Sequence, residues 1–220
     1  MINEFIINVA DEQISDLHNR IKHTRWPDEI NDQYWSHGTK MSFLKDLSKY
    51  WVDEFNWKDQ EKKINDIGSF KFKTNSGLSI HFLHAKSNHK DAVPLVMTHG
   101  WPGSIQEFIK IIPIIQKESK TPVDIICPSL PGFGFSDKPK STGMNSKEIA
   151  KIQHELVVAL GYKKYVVQGG DWGATVSKWM AELFPDHCIG IHLNLVIAFP
   201  PEGENAMDGI TDHELAMLEN

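Results

Sequence analysis

Apolar residues recur at helical spacing in the first part of the chain. Acidic residues at Asp11 and Glu12 precede an apolar residue every three or four positions, which predicts an amphipathic helix that ends near Trp26 and Pro27. Its apolar positions are Ile14, Leu17 and Ile21. A second helix is predicted from about Ser42, a residue type that favours the N-cap position.

This second predicted helix carries a broad aromatic face. The face comprises Phe43, Leu47, Tyr50, Trp51 and Phe55. Proteins rarely leave so large an apolar area exposed to solvent. We therefore expect the face to pack against other parts of the molecule rather than to form a binding platform.

From Gly68 onwards, short strand patterns alternate with helix patterns. Residues 70–74 and 78–84 predict a hairpin around Asn75, Ser76 and Gly77. The further predicted strands are Val93–Thr98, 123–127, 165–168 and 189–196, and the predicted helices are 105–116, a helix capped by Asn145 and ended by Gly161, and 174–184. Continuous apolar strands that alternate with helices are typical of an α/β fold with a mostly parallel, doubly wound sheet.

Length and charge narrow the class of protein. The chain has 220 residues, which is long enough for one large α/β domain with a buried core. Its net charge of −6, with no block of lysine or arginine, predicts that nucleic acid is not a partner. Cys127 and Cys188 lie in apolar runs without a paired spacing, so we expect buried thiols in a reducing compartment.

The apolar runs also bear on location. Residues 1–11 lack a basic segment followed by a long apolar core, which predicts no signal peptide. No apolar run approaches the roughly 18 residues that a membrane span needs. These patterns together predict a soluble cytoplasmic protein.

Eleven histidines raise the question of a metal site. His81 and His84 lie three positions apart on a predicted strand, so they are expected to point to opposite faces. The chain contains neither H-E-x-x-H nor C-x-x-C, the spacings typical of zinc ligands. We therefore expect no metal and no cofactor.

The most informative motif is Gly169-Gly170-Asp171-Trp172-Gly173, which stands between a predicted strand and a predicted helix. A strand, a glycine-flanked turn and a helix form the nucleophile elbow, written G-x-Nu-x-G. Here the central residue is a carboxylate. An aspartate nucleophile forms an alkyl-enzyme ester, which suits attack on the sp³ carbon of an epoxide or a haloalkane.

Two other interpretations of this motif are an ordinary loop and a dinucleotide-binding turn. An ordinary loop would explain an isolated match. A dinucleotide-binding turn would need bare backbone facing phosphates at a helix N-terminus, and Asp171 would put a negative charge there. The helix dipole instead favours the ionised carboxylate that a nucleophile requires. Gly169, Gly170 and Gly173 are expected to permit the tight turn.

A second motif, His99-Gly100-Trp101-Pro102-Gly103-Ser104, closes the strand Val93–Thr98. In an elbow-type hydrolase this loop supplies one oxyanion N–H, and the residue after the nucleophile supplies the other. The predicted donors are therefore the backbone N–H groups of Trp101 and Trp172. Pro102 is expected to stiffen the loop and His99 to brace it by hydrogen bonds rather than to act as a general base.

Together the two motifs resemble those of epoxide hydrolases of the α/β-hydrolase superfamily, specifically the microsomal type. The resemblance extends from about residue 5 to residue 200. It includes Arg25-Trp26-Pro27, Trp51 to Trp57, Gln60-Glu61 and Ile64-Asn65, which are similar to the N-terminal extension of that type, and Pro131-Gly132-Phe133-Gly134-Phe135-Ser136, similar to a family loop. It implies a small lipophilic epoxide as substrate and roles in detoxification and in the catabolism of aromatic hydrocarbons.

The resemblance also implies groups that this chain does not match. In the family, two lid tyrosines protonate the epoxide oxygen, and a histidine oriented by an acid activates water near the C-terminus. The tyrosines of this chain, all before the expected lid, are Tyr34, Tyr50, Tyr162 and Tyr165. The histidines after the elbow are His187, expected at the surface, His192, expected in a core strand, and His213, expected to be solvated. We therefore expect a chain incomplete at its C-terminus.

These observations predict three segments. Residues 1–66 form a helical N-terminal extension that wraps the core, residues 67–197 form the first part of an α/β-hydrolase core, and residues 198–220 begin a lid or a tail. Two alternatives stay open. In the first alternative, the chain is a non-catalytic remnant or a partner-dependent subunit. Such a subunit would need a complementing chain, or self-association through an open sheet edge. Otherwise it is a haloalkane dehalogenase-like hydrolase, although those usually carry a polar halide-binding residue where Trp101 stands.

Overall fold

A computed structural model describes residues 1–30, 35–197, 203 and 208–218. Tyr34 and most of the predicted segment 198–220 therefore lie outside the described residues, except for residue 203 and residues 208–218. The strands in chain order are β1 (Ile2–Glu4), β2 (Ser69–Lys73), β3 (Ser79–Ala85), β4 (Val93–Thr98), β5 (Val123–Pro128), β6 (Tyr165–Gly169) and β7 (Cys188–Leu193). The helices are α1 (Asp11–Lys22), α2 (Met41–Asp53), α3 (Trp57–Ile67), α4 (Ile111–Glu118), α5 (Ser146–Ala159), α6 (Trp172–Leu183) and α7 (Asp212–Leu218), with a 3₁₀ helix at Ile105–Phe108.

All seven strands form one mixed sheet in the order β1-β2-β3-β5-β4-β6-β7. Strands β1, β2, β3 and β5 pair antiparallel in that order, and the pairing of β2 with β3 is the predicted hairpin. The strands β5, β4, β6 and β7 are parallel, so the predicted α/β fold is confirmed in the half that carries both motifs. Thr98 at the end of β4 is paired with Gly169 at the end of β6. The two motifs therefore leave the sheet side by side.

Apolar side chains pack on both faces of the sheet. One layer contains Phe82, Val96, Ile126, Leu156, Val167, Val176 and Met180, and the other contains Ile64, Leu83, Met97, Ile112, Ile125 and Cys127. Helices α5 and α6 contribute to the first layer, and α3 and α4 contribute to the second. The sheet is thus covered on both faces, which is the doubly wound arrangement predicted from the sequence.

Within the N-terminal extension, side chains of α3 hold the segment that follows β1. Asn65 accepts a hydrogen bond from Ile7 N and donates one to Ile7 O, both at 2.9 Å. Glu61, which is buried, accepts from Val9 N and from the indole N–H of Trp57. Helix α3 was not predicted because few of its positions are apolar. Its N-cap Asn56, which accepts from two main-chain N–H groups, is the signal that could have revealed it.

Four predicted boundaries are wrong. Helix α1 ends at Lys22 rather than near Trp26 and Pro27. Helix α2 begins at Met41 with Lys40 at the N-cap, so Ser42 does not cap it. The predicted helix 105–116 is divided into the 3₁₀ helix and α4, because Pro113 has no N–H to continue a helix from the preceding turn. Strand β7 ends at Leu193 rather than at residue 196.

Strand β7 is more exposed than the sequence indicates. It pairs with β6 on one side, and among the described residues nothing pairs with its other side. His192 is exposed and Cys188 is half-buried, so the predictions of a core histidine and a buried thiol at these positions are wrong. The buried thiol predicted at Cys127 is confirmed. A continuous apolar pattern does not distinguish a central strand from an edge strand.

The aromatic face of α2 is also only partly covered. It lines a groove of about 560 Å³ together with α1. Tyr50 and Trp51 are 48% and 43% exposed, so the expectation of a packed face is wrong for these side chains. Helix α2 packs along α1, and its aromatic side chains extend beyond that contact into the open groove.

Two buried histidines make the stability of this fold depend on pH. Burial lowers the pKa of His81 and that of His84 from the ordinary 6.5 to about 4. Between these values the unfolded chain binds more protons than the folded chain, so acid favours unfolding. We expect each histidine to lower the free energy of unfolding by about 1.4 kcal/mol per pH unit as the pH falls from 6.5 towards 4, and to have no such effect above 6.5.

Urea unfolding at several pH values across this window measures the slope. The variant His84→Phe should lose about 1.4 kcal/mol per pH unit of the slope, because the contribution of one titrating histidine is gone. An unchanged slope in His84→Phe would show that His84 does not titrate in this window.

Candidate active site

Asp171 lies at the sharp turn between β6 and α6, as the elbow motif predicts. Its backbone has φ +51° and ψ −127°, a conformation that residues other than glycine rarely adopt. Holding a non-glycine residue there costs about 1–3 kcal/mol and persists only where the surrounding structure enforces it. The side chain is exposed at the ends of the parallel strands. The carboxylate is therefore presented outwards from a rigid support.

Close backbone contacts enforce this turn. A Cβ atom at Gly173 would lie 2.0 Å from the carbonyl oxygen of Thr98, and one at Gly169 would lie 2.0 Å from the carbonyl oxygen of Gly173. At Gly170 a Cβ atom would lie 2.3 Å from Oδ1 of Asn194. A larger residue at Gly169 or Gly173 would push α6 away from the sheet, whereas one at Gly170 would displace the Asn194 side chain. The sequence predicts the glycines but contains no signal for Asn194.

Main-chain donors from both motifs bind the carboxylate of Asp171. Trp101 N donates to Asp171 Oδ1 at 2.7 Å, and Trp172 N also donates to the carboxylate. These two hydrogen bonds, that of Trp101 first, lower the pKa of Asp171 below its ordinary value. At Gly100 a Cβ atom would lie 2.5 Å from this side chain, which requires glycine. The peptide bond between Trp101 and Pro102 is cis.

His99 is fully buried behind this loop and uses both ring nitrogens. Its Nδ1 donates to Gly100 O at 2.9 Å, and its Nε2 accepts from Leu130 N at 3.1 Å. Burial lowers its pKa, which favours the neutral ring that this pair of bonds requires. These two hydrogen bonds join the loop to Leu130 and leave no ring nitrogen free to accept a proton from water.

The two residues that donate to Asp171 both carry exposed aromatic side chains. Trp101 and Trp172 supply the two N–H groups that bind Asp171, and their indoles are 66% and 55% exposed. No metal-binding cluster is formed by histidine, cysteine, aspartate or glutamate side chains within the described residues. In the same part of the chain, none of the helices is long and apolar enough to cross a membrane.

Of the other tyrosines and histidines considered from the sequence, Tyr162, Tyr165 and His187 are hydrogen-bonded to residues other than Asp171. Tyr162 donates to Asp124, Tyr165 is bonded to His154, and Tyr50 lines the groove beside α1. His187 is bonded to Lys163 O, His192 lies on the exposed strand β7, and His213 is exposed in α7. Among the described residues, no tyrosine or histidine side chain is hydrogen-bonded to Asp171.

An elbow after β6, a donor loop after β4 and a sheet of this order define an α/β-hydrolase. Two family models match the chain accordingly. The model described as epoxide hydrolase N terminus matches residues 2–108, and the model described as alpha/beta hydrolase fold matches residues 93–209.

Relatives and solved structures agree with these models. Epoxide hydrolase 1 of Oryctolagus cuniculus is 39% identical over 206 residues, covering 89% of this chain and 45% of that protein. The juvenile hormone epoxide hydrolase of Bombyx mori superposes with a TM-score of 0.82 at 37% identity, covering 89% of this chain and 53% of that one. The Aspergillus niger epoxide hydrolase gives 0.84 at 29% identity, covering 97% and 56%.

The chain belongs to the epoxide hydrolase family of the α/β-hydrolase fold, which confirms the resemblance found in its motifs. It spans about half the length of the relatives it matches.

Proposed function

We propose that Asp171 is the nucleophile of an epoxide-opening reaction that yields vicinal diols. The observation that carries the proposal is the exposed Asp171 carboxylate, which is held at a strained elbow by the N–H groups of Trp101 and Trp172. One carboxylate oxygen attacks the less hindered carbon of the epoxide ring from behind. The ring C–O bond breaks, its electron pair goes to the ring oxygen, and that oxygen takes up a proton. The product is an ester of Asp171.

Hydrolysis of this ester would use the same main-chain donors. Oδ1 of Asp171, which is bound by Trp101 N, becomes the carbonyl oxygen when the other carboxylate oxygen attacks. Water then adds to the ester carbon and negative charge develops on Oδ1. Preplaced donors stabilise such a charge by about 2.7–4 kcal/mol. Collapse of the adduct releases the diol and restores the carboxylate.

The substrate class follows from the walls of the site. The two exposed indoles beside Asp171 offer aromatic surface and no charge to an incoming molecule. A small lipophilic epoxide fits this environment. Water attack on the ester also needs a general base, and His99 is excluded because both of its nitrogens are engaged. Positioned bases accelerate such steps by about 10²- to 10⁴-fold, so we expect the ester to accumulate in this 220-residue chain rather than to turn over.

The test compares two electrophiles on the purified monodisperse chain. Incubation with a styrene-oxide-like epoxide should increase the intact mass by one epoxide and give at most slow diol formation. A chlorinated alkane should release no halide. Halide release without an epoxide adduct would favour the dehalogenase-like alternative, and no reaction with either compound would favour a non-catalytic or partner-dependent chain.

The donor loop gives a further prediction. Trp101→Pro removes the N–H that binds Asp171, whereas Trp101→Phe keeps it. A hydrogen bond to a charged group contributes about 1.5–3 kcal/mol. We therefore expect the pKa of Asp171 to rise in Trp101→Pro and to be unchanged in Trp101→Phe. Carbon-13 NMR titration of the carboxyl group measures this, and equal pKa values in the two variants would exclude Trp101 as the donor.

A further inference from the structure

The buried His81 lies at one end of a path of hydrogen bonds that leads to the proposed nucleophile. It is fully buried on β3 and takes no part in the site itself. Its Nε2 is bonded to Ser69 Oγ at 3.0 Å, and its Nδ1 is bonded to Ser129 Oγ at 2.9 Å. Ser129 is the first residue after β5 and is also buried. His81 therefore connects two strands to the loop that follows β5.

The main chain joins His81 and Ser129 a second time. Ser129 N donates to His81 O at 2.8 Å. The hydroxyl of Ser136 accepts from His81 N at 2.9 Å and donates to Ser129 O at 2.8 Å. His81 thus holds the side chain and the N–H of Ser129 directly. It holds the carbonyl oxygen of Ser129 through the hydroxyl of Ser136. Such a network leaves the residue little freedom to shift.

The residue after Ser129 reaches the donor loop. Leu130 N donates to Nε2 of His99, which leaves Nδ1 as the protonated nitrogen that donates to Gly100 O. Trp101, the residue after Gly100, donates its N–H to Asp171 Oδ1. A displacement of Leu130 would free Nε2 and permit the other tautomer of His99. The bond to Gly100 O would then be lost.

We propose that His81 is a positioning residue for Asp171: it fixes Ser129 and Leu130, which fix the tautomer of His99, which aims the Trp101 N–H at the carboxylate. The inference rests on the proposed function for its catalytic meaning. The hydrogen bonds that it describes are those of the chain without substrate. It therefore can be tested without any epoxide, and the absence of an epoxide adduct would leave the test unaffected.

The test compares two buried histidines of the same strand. His81→Phe keeps an aromatic ring against Phe5 and Phe135 and deletes both bonding nitrogens. His84→Phe is the matched control, because His84 is also buried on β3 and bonded to a hydroxyl, that of Tyr162. Phe70 and Tyr162, which contact His84, pack against one layer of the core, whereas Phe5 and Phe135, which contact His81, pack against the layer on the other face of the sheet. Both variants are expected to lose stability.

Only His81→Phe is expected to change the site. Nitrogen-15 NMR should show that His99 no longer holds the Nδ1–H tautomer alone. The Trp101 amide should exchange with solvent about tenfold faster, as expected when a hydrogen bond to a charged group is weakened. The pKa of Asp171 should rise towards its ordinary value. His84→Phe should resemble the unmodified chain in all three measurements.

Ser129→Ala provides a milder second variant. It deletes the bond to His81 Nδ1 and keeps the backbone bonds, so it should give the same changes at His99 and Trp101 with smaller amplitude. This variant decides the matter if His81→Phe does not fold. Unchanged His99 and Trp101 signals in Ser129→Ala and in any folded His81→Phe, or equal changes in His84→Phe, would overturn the proposal.

Discussion

Asp171→Asn is expected to abolish covalent labelling of the chain by a terminal epoxide. An amide of the same shape keeps an oxygen that can accept from Trp101 N, so the elbow should stay folded. The amide carries no negative charge and is a far weaker nucleophile than a carboxylate. We expect one adduct per unmodified chain, located on the peptide that contains Asp171, and no adduct in the variant. Intact mass measurement followed by peptide mapping tests both expectations.

A matched control comes from the next turn of the chain. Asp186 is an exposed aspartate after α6. Asp186→Asn should be labelled at the same rate as the unmodified chain, because exposure alone does not make a carboxylate nucleophilic. An adduct on another residue that persists in Asp171→Asn would exclude the proposed role of Asp171.

Gly173→Ala is expected to cause a large loss of stability at the elbow. The new Cβ atom would lie 2.0 Å from Thr98 O and 3.0 Å from His99 O. Both neighbours are main-chain atoms at the end of a central strand, so relief requires that α6 move away from the sheet. We expect the free energy of unfolding to fall by about 3 kcal/mol. Urea unfolding monitored by tryptophan fluorescence measures the change.

Gly190→Ala is the control for this prediction. Gly190 lies in β7, and its Cβ atom would meet only Val166 side-chain carbons at 3.5 and 3.6 Å, an ordinary contact distance. We expect a change of at most about 1 kcal/mol, with a gain in stability possible since glycine is unfavourable in strands. Similar losses in the two variants would show that close packing at Gly173 does not determine the stability of the elbow.

The elbow was predictable because it is a local feature. A strand pattern, five residues and a helix pattern lie next to each other in the sequence, and the structure places Asp171 accordingly. The donor loop was predictable by its position after β4, and Trp101 N indeed contacts the carboxylate. What these contacts do in a reaction stays a prediction.

Contacts between distant segments were not predictable from a single sequence. The bond between Leu130 N and His99 joins residues 31 positions apart, and that between Ser129 and His81 spans 48 positions. No periodicity or spacing marks such partners. The exposure of β7 escaped prediction for a related reason, because strand order decides which strand lies at the edge of a sheet. The division of the chain at residues 66 and 197 stays a prediction, although β1 already joins the core sheet.

At position 171 the positive φ favours glycine, whereas the proposed reaction requires a carboxylate. Glycine would adopt that backbone conformation without strain, so selection for stability alone would favour its appearance at position 171. A chain no longer under selection for this reaction would gain stability by exchanging Asp171 for glycine. The presence of a carboxylate in a backbone conformation that favours glycine therefore supports the proposed role of Asp171 as the nucleophile.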